Sequence, residues 1–261
     1  MSESTDTTRG FDVEVTIRGQ LPGAADYAKE KISTLDRYAH RPIKHAHVKL
    51  TKHGNPAQEH PVIAQANLDV DGRLIRAQAQ GDTAREAIDR LDDRLRRRLR
   101  QAAEIWEDRR NNQQTSVAQN NLAERPPYVE IPPEERKIIR RKSYTLAACT
   151  VDEAATEMEL LDYDFHLFTE KGTGMASVIY RDGDGYRVAQ VAPVPAEKLA
   201  PFERPVTLSS TPPPCITVEQ ATERLGLLGL PFLFFIDAAQ GRAGVLYRRY
   251  DGHYGVIAPA G

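Results

Sequence analysis

Residues 62–103 read VIAQANLDVDGRLIRAQAQGDTAREAIDRLDDRLRRRLRQAA, and the change of period inside this stretch decides the fold of the first hundred residues. Val62, Ala64, Ala66, Leu68 and Val70 alternate with polar residues, and Ile75, Ala77 and Ala79 do so again beyond Asp71-Gly72. That is two strands joined by a two-residue hairpin. From Ile88 the apolar positions move to Leu91, Leu95, Leu99, Ala102 and Trp106, one stripe of a helix that Asp82 or Thr83 would cap. Outward from there, Phe11, Val13, Val15 and Ile17 alternate as a first strand. Ala25, Ala28, Ile32, Leu35 and Ala39 have helical spacing up to Pro42, and Ala46, Val48 and Leu50 alternate again. The order is β-α-β-β-β-α. Two helices with single apolar stripes on a four-stranded sheet predict a two-layer α+β sandwich over residues 11–110, after a polar tail at 1–10.

The 261 residues are 40% hydrophobic and 28% charged, which excludes collagenous and wholly disordered classes. Two cysteines, Cys149 and Cys215, are too few for a disulfide framework and point to a reducing compartment. The polar N-terminus has no signal-like apolar segment, and the longest apolar run, Leu225 to Ile236, is too short to span a bilayer. A cytoplasmic protein with no membrane partner is expected.

Net charge is -2 and unevenly spread, though the difference between the parts is small: residues 1–110 carry 20 Lys and Arg against 18 Asp and Glu, the remainder 15 against 19. Local clustering is more telling. Arg90, Arg94, Arg96, Arg97, Arg98 and Arg100 fall within eleven residues, behind acids that mostly precede them. At 100° per residue Arg90, Arg94 and Arg97 project together from the side opposite the apolar stripe. Arg94, Arg96 and Arg97 are read as lacking acidic partners four residues away, which calls for an external anion, and a phosphate backbone is the expected one. Lys31 and Arg37 on the first helix extend a basic groove. His40, His45, His47, His53 and His60 lack thiolates or spaced carboxylates to complete a metal set, so no metal is expected.

Residues 111–136 shift to Asn, Gln, Ser and Pro, the composition of a flexible linker. Beyond it the chain repeats at an offset of 67. Thr150-Val151 matches Thr217-Val218, Leu160-Leu161 matches Leu227-Leu228, Phe165 matches Phe232, Phe168 matches Phe235, and Tyr180-Arg181 matches Tyr247-Arg248. The register is read as unbroken through Asp184-Gly185 and Asp251-Gly252, so Arg187-Val188-Ala189 stands opposite Tyr254-Gly255-Val256. Residues 137–195 and 196–261 are thus two tandem small αβ domains, each a strand, a helix capped by Thr150 or Thr217, and three further strands, joined by a Pro-containing connector around Val194 to Pro205. The run Phe232 to Ile236 does not alternate, so both its faces should be covered. Phe165, Phe168, Val178, Tyr180, Phe232, Phe234, Phe235, Val245 and Tyr247 are the expected interface of the copies with each other or with a second chain.

Ile17-Arg18-Gly19, the stretch Tyr27 to Tyr38, Ala46-His47-Val48, and Ala87-Ile88-Asp89 with Asp93 to Leu99 resemble the ribosome hibernation promoting factor family over residues 11–110. The C-terminal copies, most closely Gly244 to Pro259, resemble the C-terminal domain of its long form, and the duplication is similar to that of a mycobacterial hypoxia-induced member. The resemblance implies binding to the decoding region of the small ribosomal subunit and of the 70S ribosome. Contacts to 16S rRNA by Lys31, Arg37, Arg90, Arg94, Arg97, Arg98 and Arg100 would then block messenger and transfer RNA in dormancy or stress. Thr34 stands where that family often has lysine. The copies would pair within the chain on one 70S particle. The alternatives are a factor joining two ribosomes, and a general structured-RNA binder or interaction scaffold. No GxSxG, HExxH, Walker-type or GxGxxG motif is present, so neither an enzyme nor a cofactor is expected.

Overall fold

The structure is a computed structural model, and it describes residues 11–53, 60–111, 131–144, 148–183 and 185–259. The tail at 1–10, most of the expected linker and Asp184 lie outside these residues, as does the side chain of Trp106. The chain divides into two compact units, essentially residues up to 126 and residues from 127 onward.

In the first unit β1 (Asp12–Arg18), β2 (Ile43–Lys52), β3 (Val62–Val70) and β4 (Arg73–Gly81) form one sheet in sequence order. β1 pairs parallel with β2, and the other pairs are antiparallel. Asp71 and Gly72 both take positive φ, 53° and 82°, as a two-residue hairpin with this twist requires. Helices α1 (Ala24–Ser33) and α2 (Ala84–Asn111) bury Ala28, Ile32, Ile88, Leu91, Leu95 and Leu99 against Ala46, Val48, Leu50, Ala64, Ala66, Leu68, Ile75 and Ala77. This is the two-layer sandwich that the alternation predicts. The first helix is shorter than its apolar spacing suggests, because Thr34–Tyr38 winds as a 3-10 turn. The Ser33 and Thr34 hydroxyls donate to the carbonyls of Glu30 and Lys31, and so compete with helix continuation.

The second unit holds two five-stranded sheets, and their strand order departs from the sequence repeat. The first sheet has β6 (Ala148–Cys149), β7 (Phe165–Glu170), β8 (Ala176–Asp182) and β9 (Gly185–Gln190) from the first copy. Its fifth strand is β10 (Val206–Leu208), the leading strand of the second copy. The second sheet has β11 (Cys215–Ile216), β12 (Phe232–Asp237), β13 (Arg242–Arg248) and β14 (Tyr254–Pro259), with β5 (Ile138–Tyr144), the leading strand of the first copy, at its edge. β10 pairs parallel with β9, and β5 pairs parallel with β14. The copies therefore exchange their first strands reciprocally.

Helices α3 (Val151–Leu160) and α4 (Val218–Leu228) start as expected. Thr150 and Thr217 accept from the amides of Glu153 and Gln220, whose side chains accept from the Thr150 and Thr217 amides in return. The repeat register slips by one at the last turn. Val178 pairs with Ala189 and Ile179 with Val188, whereas Val245 pairs with Ile257 and Leu246 with Val256. His253 is the extra residue, so Tyr186 and Val188 are the counterparts of Tyr254 and Val256, and each set is buried in its own copy's core. The unbroken register read from the sequence is corrected at that point.

β7 and β12 are covered on both faces. Phe168, with Ile179, Tyr186 and Val188, packs on the α3 side, and Phe235, with Leu233, Leu246 and Val256, packs on the α4 side. On the opposite faces Leu167, Val178, Phe234, Ala243 and Val245 form one cluster, flanked by Phe165, Tyr180, Phe232 and Ile257. Phe168 and Phe235, expected in the shared interface, point away from it, since each lies one residue along a strand from Leu167 or Phe234.

The connector between the copies is docked along the first. Glu170, fully buried, accepts from the amides of Gly172 (3.0 Å), Thr173 (2.8 Å) and Ala200 (2.9 Å) and from the Thr173 hydroxyl (2.9 Å). A Cβ on Gly172 would lie 2.4 Å from the Ala200 nitrogen, so only glycine permits this approach. Asp152 accepts from the Glu203 and Arg204 amides at 2.9 and 3.1 Å. The Arg204 guanidinium reaches Glu159 at 3.1 Å, and the Tyr186 hydroxyl donates to the same carboxylate.

Burial pushes the Glu170 carboxyl up, but the amides of Gly172, Ala200 and Thr173 outweigh it and hold the group below its ordinary 4.5. A carboxyl with a depressed pKa in the folded state stabilises above its ordinary value and loses that contribution as pH falls through the depressed one. Glu170→Ala should cost at least about 2 kcal/mol at pH 7, because it strands buried amides. In a pH series of chemical denaturation the penalty should shrink only below about pH 4.5. A penalty that is constant down to pH 3 contradicts the assignment. Burial, with Glu157, Glu153 and Glu170 adding to it, pushes the Cys149 thiol up to about 12, while Cys215 is exposed. A thiol reagent should therefore label Cys215 at once in the folded chain and Cys149 only after unfolding.

Candidate nucleic-acid interface

The arginines of α2 divide into three groups according to what lies beside the helix. On the β4 flank Arg90 donates to the Gln80 carbonyl at 2.9 Å and pairs with Glu86 at 2.6 Å, and Arg94 donates to the Gln78 carbonyl. Both side chains bend down onto the strand, so Arg90, Arg94 and Arg97 do not project outward as one row. On the α1 flank Arg96 pairs with Asp92 at 2.6 Å and lies over the Tyr38 ring at 4.8 Å. Asp92 is therefore the acid four residues away that the sequence reading missed, although the spacing itself carries the pair. It is only 2% exposed, and burial raises its carboxyl pKa despite Arg96.

The third group faces solvent. Arg97 and Arg100 are exposed, and neither has an ion-pair partner among the described residues. Arg37, on the 3-10 turn after α1, is exposed as well. Arg98 is only about a sixth exposed and belongs to the half-buried flank.

Lys31 is not a free cation. Its ammonium sits 2.8 Å from Asp89, whose carboxylate also accepts from the Tyr27 hydroxyl at 2.7 Å. The hydrogen bond to Asp89 is the main cause of the raised Lys31 pKa. The Arg85 guanidinium lies over the Tyr27 ring at 4.6 Å, a further positive group that the sequence reading did not single out. Tyr27 thus gathers Lys31, Arg85 and Asp89 at the junction of α1 and α2. Among the described residues the helical layer presents Arg37, Arg97 and Arg100 without an ion-pair partner, with Lys31, Arg85, Arg90 and Arg96 held in place by neighbours.

The opposite face of the sheet is polar and mixed in charge. His45 lies 3.7 Å from Asp12 and 3.8 Å from Glu14, and His47 is 3.1 Å from the Thr16 hydroxyl. Among the described residues no helix is long and apolar enough to cross a membrane.

Residues 21–105 match the family model described as sigma 54 modulation protein / S30EA ribosomal protein, and residues 133–188 and 206–256 each match that of its C terminus. A dormancy associated translation inhibitor of Mycobacterium tuberculosis is 37% identical over 212 residues, covering 77% of this chain and 72% of that one. The chain belongs to the S30EA ribosomal protein family. It is a long-form member with two C-terminal copies, and the second C-terminal match begins at Val206, the first residue of the exchanged β10. A ribosome hibernation promotion factor of Deinococcus radiodurans is 30% identical over 193 residues, 68% of this chain and 93% of that one. The N-terminal domain of Protein Y from Thermus thermophilus, a solved structure, is 25% identical, covers 35% of this chain and 96% of its own, and has a TM-score of 0.28. These relatives are named for ribosome hibernation and translation inhibition, not for a reaction.

Proposed function

We propose that this S30EA-family member is a cytoplasmic ribosome hibernation factor whose N-terminal unit binds 16S rRNA in the decoding region of the small subunit and closes the messenger and transfer RNA sites. The observation that carries the reading is that Arg97 and Arg100 of α2 are exposed, as is Arg37 on the 3-10 turn whose Tyr38 ring lies under Arg96. Cations without internal partners contribute little to the fold and are free to release counterions on a phosphate backbone. Arg90, Arg94 and Lys31, pinned by Gln80, Gln78 and Asp89, shape the rim of the same surface and add charge to it.

The C-terminal unit favours work on a single 70S ribosome. The apolar faces of β7 and β12 are covered inside one chain, with the Phe165 and Phe232 rings 4.8 Å apart. A face occupied in this way is not available to a second chain. A factor that joins two ribosomes is the second reading, and it requires that face to open.

Arg97→Ala with Arg100→Ala removes two exposed charges from a helix that tolerates alanine. Ribosome pelleting across a salt series should weaken, with the dependence of log affinity on log salt flattening by roughly 1.4 to 1.8, two phosphate contacts' worth. An unchanged slope, with the double variant folded, would move the ribosome contact to another face.

A further inference from the structure

The two copies form an internal comparison at one position, the gap between the exchanged strand, the helix start and the end of the central hairpin. In the first copy that position is closed. Leu208 of β10 packs against the Phe168 core, Met175 stands at the start of β8, and Leu199 and Ala200 of the connector are buried beside Glu170. In the second copy Arg141 replaces Leu208 and Arg242 replaces Met175, and among the described residues no segment equivalent to Leu199-Ala200 lines the position. A cavity of about 280 Å³ remains. Its apolar bottom includes Val256 and Phe235, and its rim carries Arg141, Lys142, Arg242 and Gln240.

Arg141 stands level with Val256, on a strand whose outer edge is unpaired. The substitution of arginine for a packed leucine gives up apolar burial. Two carboxylates temper the charge. Asp237 lines the cavity and accepts the Ala239 amide at 2.9 Å, and Glu219, at the start of α4, is held below its usual range chiefly by hydrogen bonding at that helix start, with Arg141 adding to it. Three cations against these two acids leave Lys142 and Arg242 without an ion-pair partner among the described residues.

We propose that this cavity binds one unpaired nucleotide of an RNA strand, with the phosphate on Arg141, Lys142 and Arg242 and the base in the apolar bottom. Cations around an apolar recess suit a phosphate ester that carries a flat, weakly polar group. A base held in a duplex cannot enter, whereas an unstacked base can. The choice of RNA among phosphate esters rests on the hibernation reading, and the cavity's cationic character does not. The site extends RNA contact from the N-terminal unit to the second copy, and the first copy, where Leu208, Leu199 and Ala200 pack, takes no part in it.

The test uses the full chain and a mixed-sequence octaribonucleotide containing 4-thiouridine. Photo-cross-linked peptides should include residues 140–143 or 240–244. Lys142→Ala with Arg242→Ala should abolish those cross-links while leaving any on α1 and α2, and should lower the salt slope by about 0.7, one single-strand phosphate contact. A fully paired RNA of the same length should compete poorly. Cross-links confined to α1 and α2 overturn the proposal, as does equal competition by the paired RNA. The wild-type cross-link map decides the matter even if the double variant fails to fold. Ribosome pelleting by the wild-type chain reports on the hibernation reading separately, so the two can fail independently.

Discussion

The C-terminal unit depends on the reciprocal exchange of β5 and β10, because neither sheet has its fifth strand without the other copy. The parallel pairs β5–β14 and β10–β9 tie the copies together by main-chain hydrogen bonds in addition to side-chain packing. The shared apolar cluster then follows. Once each sheet holds the other's leading strand, Leu167, Val178, Phe234 and Val245 are brought together, and the Phe165, Phe232, Tyr180 and Tyr247 rings pack at their margin at centroid distances of 4.8 to 5.7 Å. Tyr247 fits because its cross-strand neighbour is Gly255, where a Cβ would fall 2.4 Å from the ring. The tether between the copies raises the effective concentration of each partner for the other, which favours pairing within the chain over pairing between chains.

Charge is handled differently in the two units. On α2 most arginines are committed to neighbours: backbone carbonyls of β4, Asp92, and the ring of Tyr38. Those contacts orient the helix layer and leave Arg97 and Arg100 exposed. In the C-terminal unit the buried charges do structural work at the connector, where Glu170, Asp152 and the Arg204–Glu159 pair hold the segment that leads into β10. A buried pair of this kind adds little net stability over an apolar replacement, but it is costly to break on one side only. It therefore fixes which sheet β10 enters more than it strengthens the fold.

Much of the fold was legible in the sequence because it is local. Alternation gave the four strands of the first unit, Asp71-Gly72 gave the hairpin, Thr150 and Thr217 gave the caps, and the non-alternating Phe232 to Ile236 run foretold a strand covered on both faces. The exchange was not legible, since an offset of 67 shows which residues are alike and not which sheet receives them. The one-residue slip at His253 was hidden because the matching Asp184-Gly185 and Asp251-Gly252 pairs come immediately before it. The fates of Arg90 and Arg94 depend on the carbonyls of Gln80 and Gln78, ten and sixteen residues away, which no helical wheel contains. Arg85 over Tyr27 is of the same kind, a contact set by how α1 lies against α2.

The central claim is that the exchanged pair closes within one chain. Sedimentation equilibrium of the full protein at tens of micromolar tests it most directly. The account predicts a single species near the 29.2 kDa of one chain, with ribosome gradients containing the factor on 70S particles and no added ribosome pairs. A stable species of twice that mass, accompanied by ribosome pairs, would contradict it.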